Sequence, residues 1–295
     1  MYTMERIGPQ METNRARSRY LQTVGSRFLD LGSFRIHYLE SGAGPKTIIL
    51  VHGGGMWLYS FRHNIPSLSR RSRVIALDMP GYGYTLPRDG VRHRGLETTS
   101  EVLLEVMDRL DLERASFLGH SWGGGWVLHF AHLHPGRVEK IVLIDSSGLN
   151  VRDILEWELL KYPVIGGLLL RSVTMRAVRK RLMRSFFHQE RVTEDMALEV
   201  YRPLTFRHNR RLQLQLARSQ DWSVTEQALP GLEHPALIIW GENDRYLDAG
   251  LLRRFEALLK NSRSFVFRTC GHSAHEEYPA ETNTLVAAFL DRNGP

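Results

Sequence analysis

The stretch Phe117-Leu118-Gly119-His120-Ser121-Trp122-Gly123-Gly124 runs from an apolar stub into residues with helical spacing and sets a serine at the junction. An ordinary turn needs one glycine. Glycines two before and two after a serine mark a strand-to-helix turn so tight that side chains there would collide. Ser121 is then held in a strained conformation, its hydroxyl pointing up from the end of a strand. Such a turn places heavy demands on the rest of the chain: a sheet beneath it, and helices packing back on that sheet.

The chain meets them. Short apolar or β-branched runs stop at turn residues at 47–55, 73–83, 115–121, 140–148, 236–244 and 264–272. Continuous apolar strands of this kind belong to a parallel sheet covered on both faces. An earlier alternating pair, RFLDLG and FRIHYLES, predicts an antiparallel hairpin at the sheet edge. Between the strands lie helical patterns; residues 98–112 set Val102, Leu103, Val106 and Leu110 on one face. The expected fold class is therefore α/β, a doubly wound, mostly parallel sheet. The alternation breaks between 148 and 232, where helical patterns follow one another without a clear strand. That stretch is expected to be a helical cap inserted into a core of residues 21–147 and 233–295. Residues 1–20, charged and without the apolar centre of a secretory signal, are expected to form a loose tail.

Composition narrows the function classes. With 295 residues, 42% of them hydrophobic, the chain can bury one large domain with an insertion. No apolar run is long enough to span a bilayer. A single cysteine, Cys270, excludes an intramolecular disulfide and agrees with a cytoplasmic setting. Cys270 itself is expected to pack at a strand end. The net charge of +7 is concentrated: residues 152–218 hold twelve Arg and two Lys against seven acidic residues. No zinc-finger spacing or RNA-recognition signature accompanies them, so a solvated basic face is expected and no nucleic-acid partner.

A serine nucleophile needs a base to take its proton and a carboxylate to orient that base. Asp244 closes the run LIIWGEND, and His272 follows FVFRTCG, both at predicted strand ends, where an open α/β sheet puts its crevice. Asp145, at another strand end, is an alternative acid, and His275 an alternative base. Donors for an oxyanion are expected from HGGG at 52–55, through the N–H of Gly54 (Gly55 being second choice), and from the N–H of Trp122. His52 is expected to brace that loop. His129, His132 and His134 have no carboxylate to complete a metal site, so no metal ligand is assigned.

Taken together, HGGGMW, DMPGYGYT, GHSWGG, GENDRYLD and CGHSAHEEYP stand in family order and at family-like spacing. On these motifs residues 27 to 292 resemble the α/β-hydrolase superfamily. The resemblance implies the α/β-hydrolase fold with a helical cap, Ser121 as nucleophile, Asp244 as acid, His272 as base, and no cofactor. A serine at the elbow excludes the branches that use an aspartate there. Trp57, Trp122, Trp157 and Leu168 to Leu170, with Gly55 and His120, are the expected lining of an apolar acyl pocket. The expectation is a carboxylic ester or lactone hydrolase, esterase- or lipase-like, acting on a medium-sized, mainly apolar small molecule. The alternative is a carbon–carbon bond hydrolase of meta-cleavage products, in which a cap arginine holds the substrate carboxylate. A member of the fold that only binds a ligand is a third reading. Assembly into a homodimer is left open.

Overall fold

The computed structural model describes residues 9–292. Nine strands form one sheet: β1 (Ser26–Asp30), β2 (Phe34–Ser41), β3 (Lys46–Val51), β4 (Ser72–Leu77), β5 (Leu86–Pro87), β6 (Ala115–His120), β7 (Val138–Ile144), β8 (Ala236–Gly241) and β9 (Ser262–Phe267). Their order is β1-β2-β4-β3-β6-β7-β8-β9, with β5 paired to β2. The β1–β2 hairpin and the β2–β4 pair are antiparallel, and every pair from β4 through β9 is parallel. The inner parallel strands β3, β4, β6, β7 and β8 are largely apolar because both faces are covered, whereas β9, at the sheet edge, is mostly exposed. Ile49 and Val51 of β3 face one core with Phe117, while Ile48 and Leu50 face the other with Leu118.

From β3 the chain steps outward to β4, then returns past β3 to β6. The direction of winding reverses there, so the loops after β3 and β6 leave the sheet side by side and open a crevice between them. The next residues along each parallel strand are His52, Asp78, Ser121, Asp145, Glu242 and Arg268, all at the carboxyl edge. A purely local pattern, short strands with turns at their ends, thus delivers the chemistry-bearing residues to one rim.

Between β7 and β8 the chain forms helices Leu155–Leu160, Pro163–Arg171, Met175–Ser185, Glu194–Leu204, Arg207–Ser219 and Trp222–Ala228, with no strand. Thr174 and Thr193 cap two of them, accepting from the N–H groups of Ala177 and Met196. The N-terminal stretch departs from expectation. Residues 1–8 lie outside the described part, but residues 9–20 are not a loose tail: they form helix Pro9–Ala16 and, after a turn, the start of helix Arg19–Thr23, capped by Ser18. The cause is Glu199, whose buried carboxylate accepts from the Ser18 hydroxyl (2.7 Å) and the Arg19 N–H (2.8 Å).

Candidate active site

Ser121 sits at the β6–helix junction with φ 51° and ψ −123°, the strained backbone expected of it. The flanking glycines are required for two different reasons. A Cβ on Gly119 would lie 2.5 Å from the Gly123 carbonyl oxygen and from Gly124, so the turn itself forbids it. A Cβ on Gly123 would strike the Val51 carbonyl at the end of β3, so that glycine admits the neighbouring strand.

Asp244, His272 and Ser121 converge. Asp244 follows β8, and its Oδ1 accepts from the N–H groups of Tyr246 (2.7 Å) and Leu247 (3.0 Å). That clamp leaves Oδ2 for His272 Nδ1, 2.6 Å away, and His272 Nε2 lies 2.9 Å from Ser121 Oγ. With Nδ1–H donated to the carboxylate, Nε2 faces the hydroxyl as the acceptor. Burial pulls the His272 pKa down, but the charge and hydrogen bond of Asp244 outweigh it, and the net shift is upward. The arrangement can take the serine proton and hold the resulting imidazolium.

Asp145 is placed otherwise. Its Oδ1 accepts from the Gly241 N–H (2.7 Å) and its Oδ2 from the Ala274 N–H (3.2 Å), so it ties the end of β8 to the segment after His272. Burial, together with the Asp244 charge, pushes its pKa up. His275 packs against His120, the tilted rings 4.5 Å apart between centroids, and makes no hydrogen bond to Ser121. His120 is fixed by its own bond, Nε2–H to the His272 carbonyl at 2.7 Å, and burial keeps the ring neutral. Cys270 is fully buried, and burial pushes its thiol pKa far up, away from reactivity.

The Gly53-Gly54 loop lies directly on the elbow. A Cβ on Gly54 would come within 3.0 Å of the Trp122 indole. Gly54, Trp122, Ser121 and His272 line one cleft of about 60 Å³. Among the described residues, neither the Gly54 N–H nor the Trp122 N–H has a hydrogen-bond acceptor. His52 accepts from the Met79 N–H (3.0 Å) and donates to the Gly53 carbonyl (2.8 Å), pinning the loop against the end of β4. Asp78, opening DMPGYGYT, holds the next loop by accepting from the N–H groups of Leu58 and Tyr84, each at 2.8 Å.

The expected pocket needs revision. Trp157 lines the cleft, its ring 4.7 Å from that of Trp122, and His120 lines it too. Trp57 does not: it is 1% exposed, stacks on Tyr59 and donates to the Glu199 carbonyl, because its segment turns into the core. Leu168 is 61% exposed on the outer face of its helix, whereas Leu170 points inward. Gly55 faces neither Ser121 nor the cleft; its carbonyl accepts from Arg181 (3.2 Å).

Arg181 is the residue the sequence reading passed over. It projects from helix Met175–Ser185 into the cleft with Ser121 and His272. Among the described residues no carboxylate pairs with it, and burial lowers its pKa. Of the other cations in 152–218, Arg171, Arg176, Arg179, Lys180, Arg207, Arg211 and Arg218 lie exposed, as a solvated basic face requires. The overlooked signal was helical spacing. Val178, Leu182 and Ser185 are the buried residues of that helix, and Arg181 falls at the missing i+3 place in their stripe. Arg181, Trp157, Ile154 and Tyr246 also line a second, apolar cavity of about 500 Å³ within the helical segment.

The comparisons agree with this architecture. A family model described as the alpha/beta hydrolase fold matches residues 46–279. The 2-hydroxy-6-oxononadienedioate/2-hydroxy-6-oxononatrienedioate hydrolase of Cupriavidus pinatubonensis is 30% identical over 267 residues, covering 87% of this chain and 91% of that protein. The 2-hydroxy-6-oxo-6-phenylhexa-2,4-dienoate hydrolase of Comamonas testosteroni is 30% identical over 275 residues, covering 88% and 93%. A solved meta-cleavage product hydrolase from Pseudomonas fluorescens IP01 shares the fold, with TM-score 0.79 at 23% identity over 92% of this chain and 98% of that one. These relatives overturn the ester or lactone expectation, since both are named for hydrolysing 2-hydroxy-6-oxo dienoates. The site is consistent with that correction: a neutral ester would leave the Arg181 guanidinium sequestered without a counter-charge, which is unfavourable. The chain belongs to the α/β-hydrolase family.

Proposed function

We propose that the protein hydrolyses a carbon–carbon bond in a 2-hydroxy-6-oxo dienoic acid of meta-cleavage type. The observation that carries this reading is Arg181, whose guanidinium has no ion pair among the described residues and lies in the cleft that contains Ser121 and His272. A planar fork of donors suits a carboxylate, and among the described residues none stands within ion-pair distance of it, Asp153 being the acidic residue that shares the cleft. The cavity of about 500 Å³ beside it, lined by Trp157, Leu160, Leu170 and Val178, suits the apolar remainder of such an acid. In this reading residues 148–232 are a cap over the sheet domain.

The chemistry follows from where electrons can go. Moving the enol proton of the dienoate to C5 gives a 2,6-dioxo acid whose C5–C6 bond lies next to the C6 carbonyl. His272 Nε2 takes the Ser121 proton, Ser121 Oγ adds to C6, and the Gly54 and Trp122 N–H groups receive the oxyanion. When C5–C6 breaks, the bonding pair flows through C3=C4 to the 2-oxygen, and the proton that His272 took from Ser121 is given up to restore the dienol, leaving Nε2 free to act as base again. Arg181, holding the carboxylate, keeps that chain in line with the serine. Water, deprotonated by His272, then releases the acyl group from Ser121 as an acid. The role of Asp244 is to hold the His272 tautomer and to offset the imidazolium charge.

A substrate panel tests this. Wild-type protein is offered 2-hydroxy-6-oxo-6-phenylhexa-2,4-dienoate beside p-nitrophenyl esters of graded chain length. A kcat/KM for the dienoate about a hundredfold above the best ester, ~2.7 kcal/mol of selectivity, is expected. Efficient ester cleavage with no loss of the dienoate chromophore would reject the reading.

A further inference from the structure

Helix Pro163–Arg171 is apolar on every side, yet only part of it is enclosed. Its inner face carries the buried Gly166 and Leu170, the latter clustered with Leu160 and Ala217. Its outer face carries Val164 (74% exposed), Ile165 and Leu168. Leu155, Tyr162 and Met175 on the flanking segments are exposed as well. Isolated exposed apolar side chains are commonplace, but a run of six in one short segment marks an interaction surface. A helix apolar all round belongs in a core or against lipid.

Charge identifies the covering partner. Residues 155–180 contain Lys161, Arg171, Arg176, Arg179 and Lys180 against Glu156 and Glu158, which pair with Arg184 and Lys161. All five cations are exposed, and among the described residues only Lys161 has an ion pair, with Glu158. A second copy of the same face would bring like charges together across a two-fold axis. No described helix is long and apolar enough to cross a bilayer, so a membrane would be met in its surface plane.

We propose that this face docks on an anionic lipid surface, with Val164, Ile165 and Leu168 at the acyl boundary and the five cations among the head groups. The same elements wall the cavity of about 500 Å³: Leu169, Leu170, Val173, Ala177 and Lys180 line it, and it ends at Arg181 and Tyr246. A docked protein therefore holds the cavity against the lipid, where molecules with apolar tails concentrate. The docking stands independently of the reaction assigned to the site.

The test is cosedimentation of the full chain with vesicles, of phosphatidylcholine alone and of phosphatidylcholine with phosphatidylglycerol. Binding to the anionic vesicles, weak binding to the neutral ones and a fall with added salt are expected. Arg176→Gln combined with Arg179→Gln should lower the partition coefficient about thirtyfold, from roughly 1 kcal/mol per cation near the surface. Val164→Asp should abolish sedimentation with vesicles, while unchanged thermal unfolding certifies its fold. Equal binding to both vesicle types, or none to either, overturns the proposal. So does a dimer in light scattering that Val164→Asp dissolves, which would assign the face to a second copy. Capture by soluble polyglutamate in preference to vesicles would overturn it in favour of an acidic protein.

Discussion

Replacing Arg181 by Gln separates the two halves of the functional argument. The guanidinium makes one hydrogen bond to the protein, to the Gly55 carbonyl at 3.2 Å, and no ion pair among the described residues. Removing it leaves no protein charge stranded, so stability should stay within about 1 kcal/mol of wild type, read from the urea midpoint. Catalysis is another matter. A carboxylate carried into this cleft and left without its cation loses a charged, sequestered hydrogen-bond pair, typically 2–5 kcal/mol. Glutamine retains an amide NH2 but no charge and a shorter reach, which puts the loss at ~3 kcal/mol, about 150-fold in kcat/KM for a dienoate. A neutral p-nitrophenyl ester makes no such pair, so its smaller rate should change by less than about threefold, ~0.7 kcal/mol. Arg181→Lys should fall between, retaining the charge but losing the two-pronged geometry. If Arg181→Gln depresses both substrates alike, or neither, Arg181 does not recognise a carboxylate and the reasoning fails.

Four other outcomes follow from the site and its supports. The kcat/KM profile should fall on the acid side through a midpoint above the ordinary imidazole value of 6.5, because His272 must be neutral to accept a proton and its pKa is raised. Asp244→Asn should move that midpoint down and lower kcat by about 10⁴, since the upward pull on His272 is lost along with its tautomer. Asp145→Asn should move the midpoint down less than Asp244→Asn does, since its charge supports the raised His272 pKa without a hydrogen bond to the ring, and should appear mainly as about 1–3 kcal/mol of lost stability, because its oxygens accept from backbone N–H groups. Glu276→Gln should destabilise by about 3–5 kcal/mol in urea unfolding by stranding the buried Arg62, and Arg62→Met in the same chain should recover much of it.

Much of this site was legible because the fold places its chemistry at strand ends. Ser121, Asp244 and His272 each follow a short apolar run that is hard to mistake, and a parallel sheet brings such ends to one rim. Pocket walls are less legible, since being near a motif in sequence does not say which way a side chain turns. Trp57 follows HGGG closely yet belongs to the core, and Leu168 differs from Leu170 only in its place around one helix. Arg181 was hidden by number: it is one of twelve arginines in 152–218, and charge density there suggests a solvated face. Only the stripe of Val178, Leu182 and Ser185 sets it apart. The docked N-terminal helices depend on Glu199, some 180 positions away, a contact no local pattern announces. Reaction type was the hardest element, because one serine, histidine and aspartate can open an ester or a vinylogous ketone. In the proposed reading, what separates the two is the Arg181 guanidinium in the cleft.

The most direct test of the central claim, serine-dependent carbon–carbon cleavage, is a single-turnover measurement with enzyme in excess over the phenyl dienoate, comparing wild type with Ser121→Ala. Released benzoate is quantified, so that loss of chromophore by tautomerisation alone is not counted. Ser121 Oγ stands 2.9 Å from His272 Nε2 and is the atom assigned to attack C6. Its removal should lower the benzoate rate by at least about 10⁴. Benzoate release by Ser121→Ala within tenfold of wild type would contradict the account.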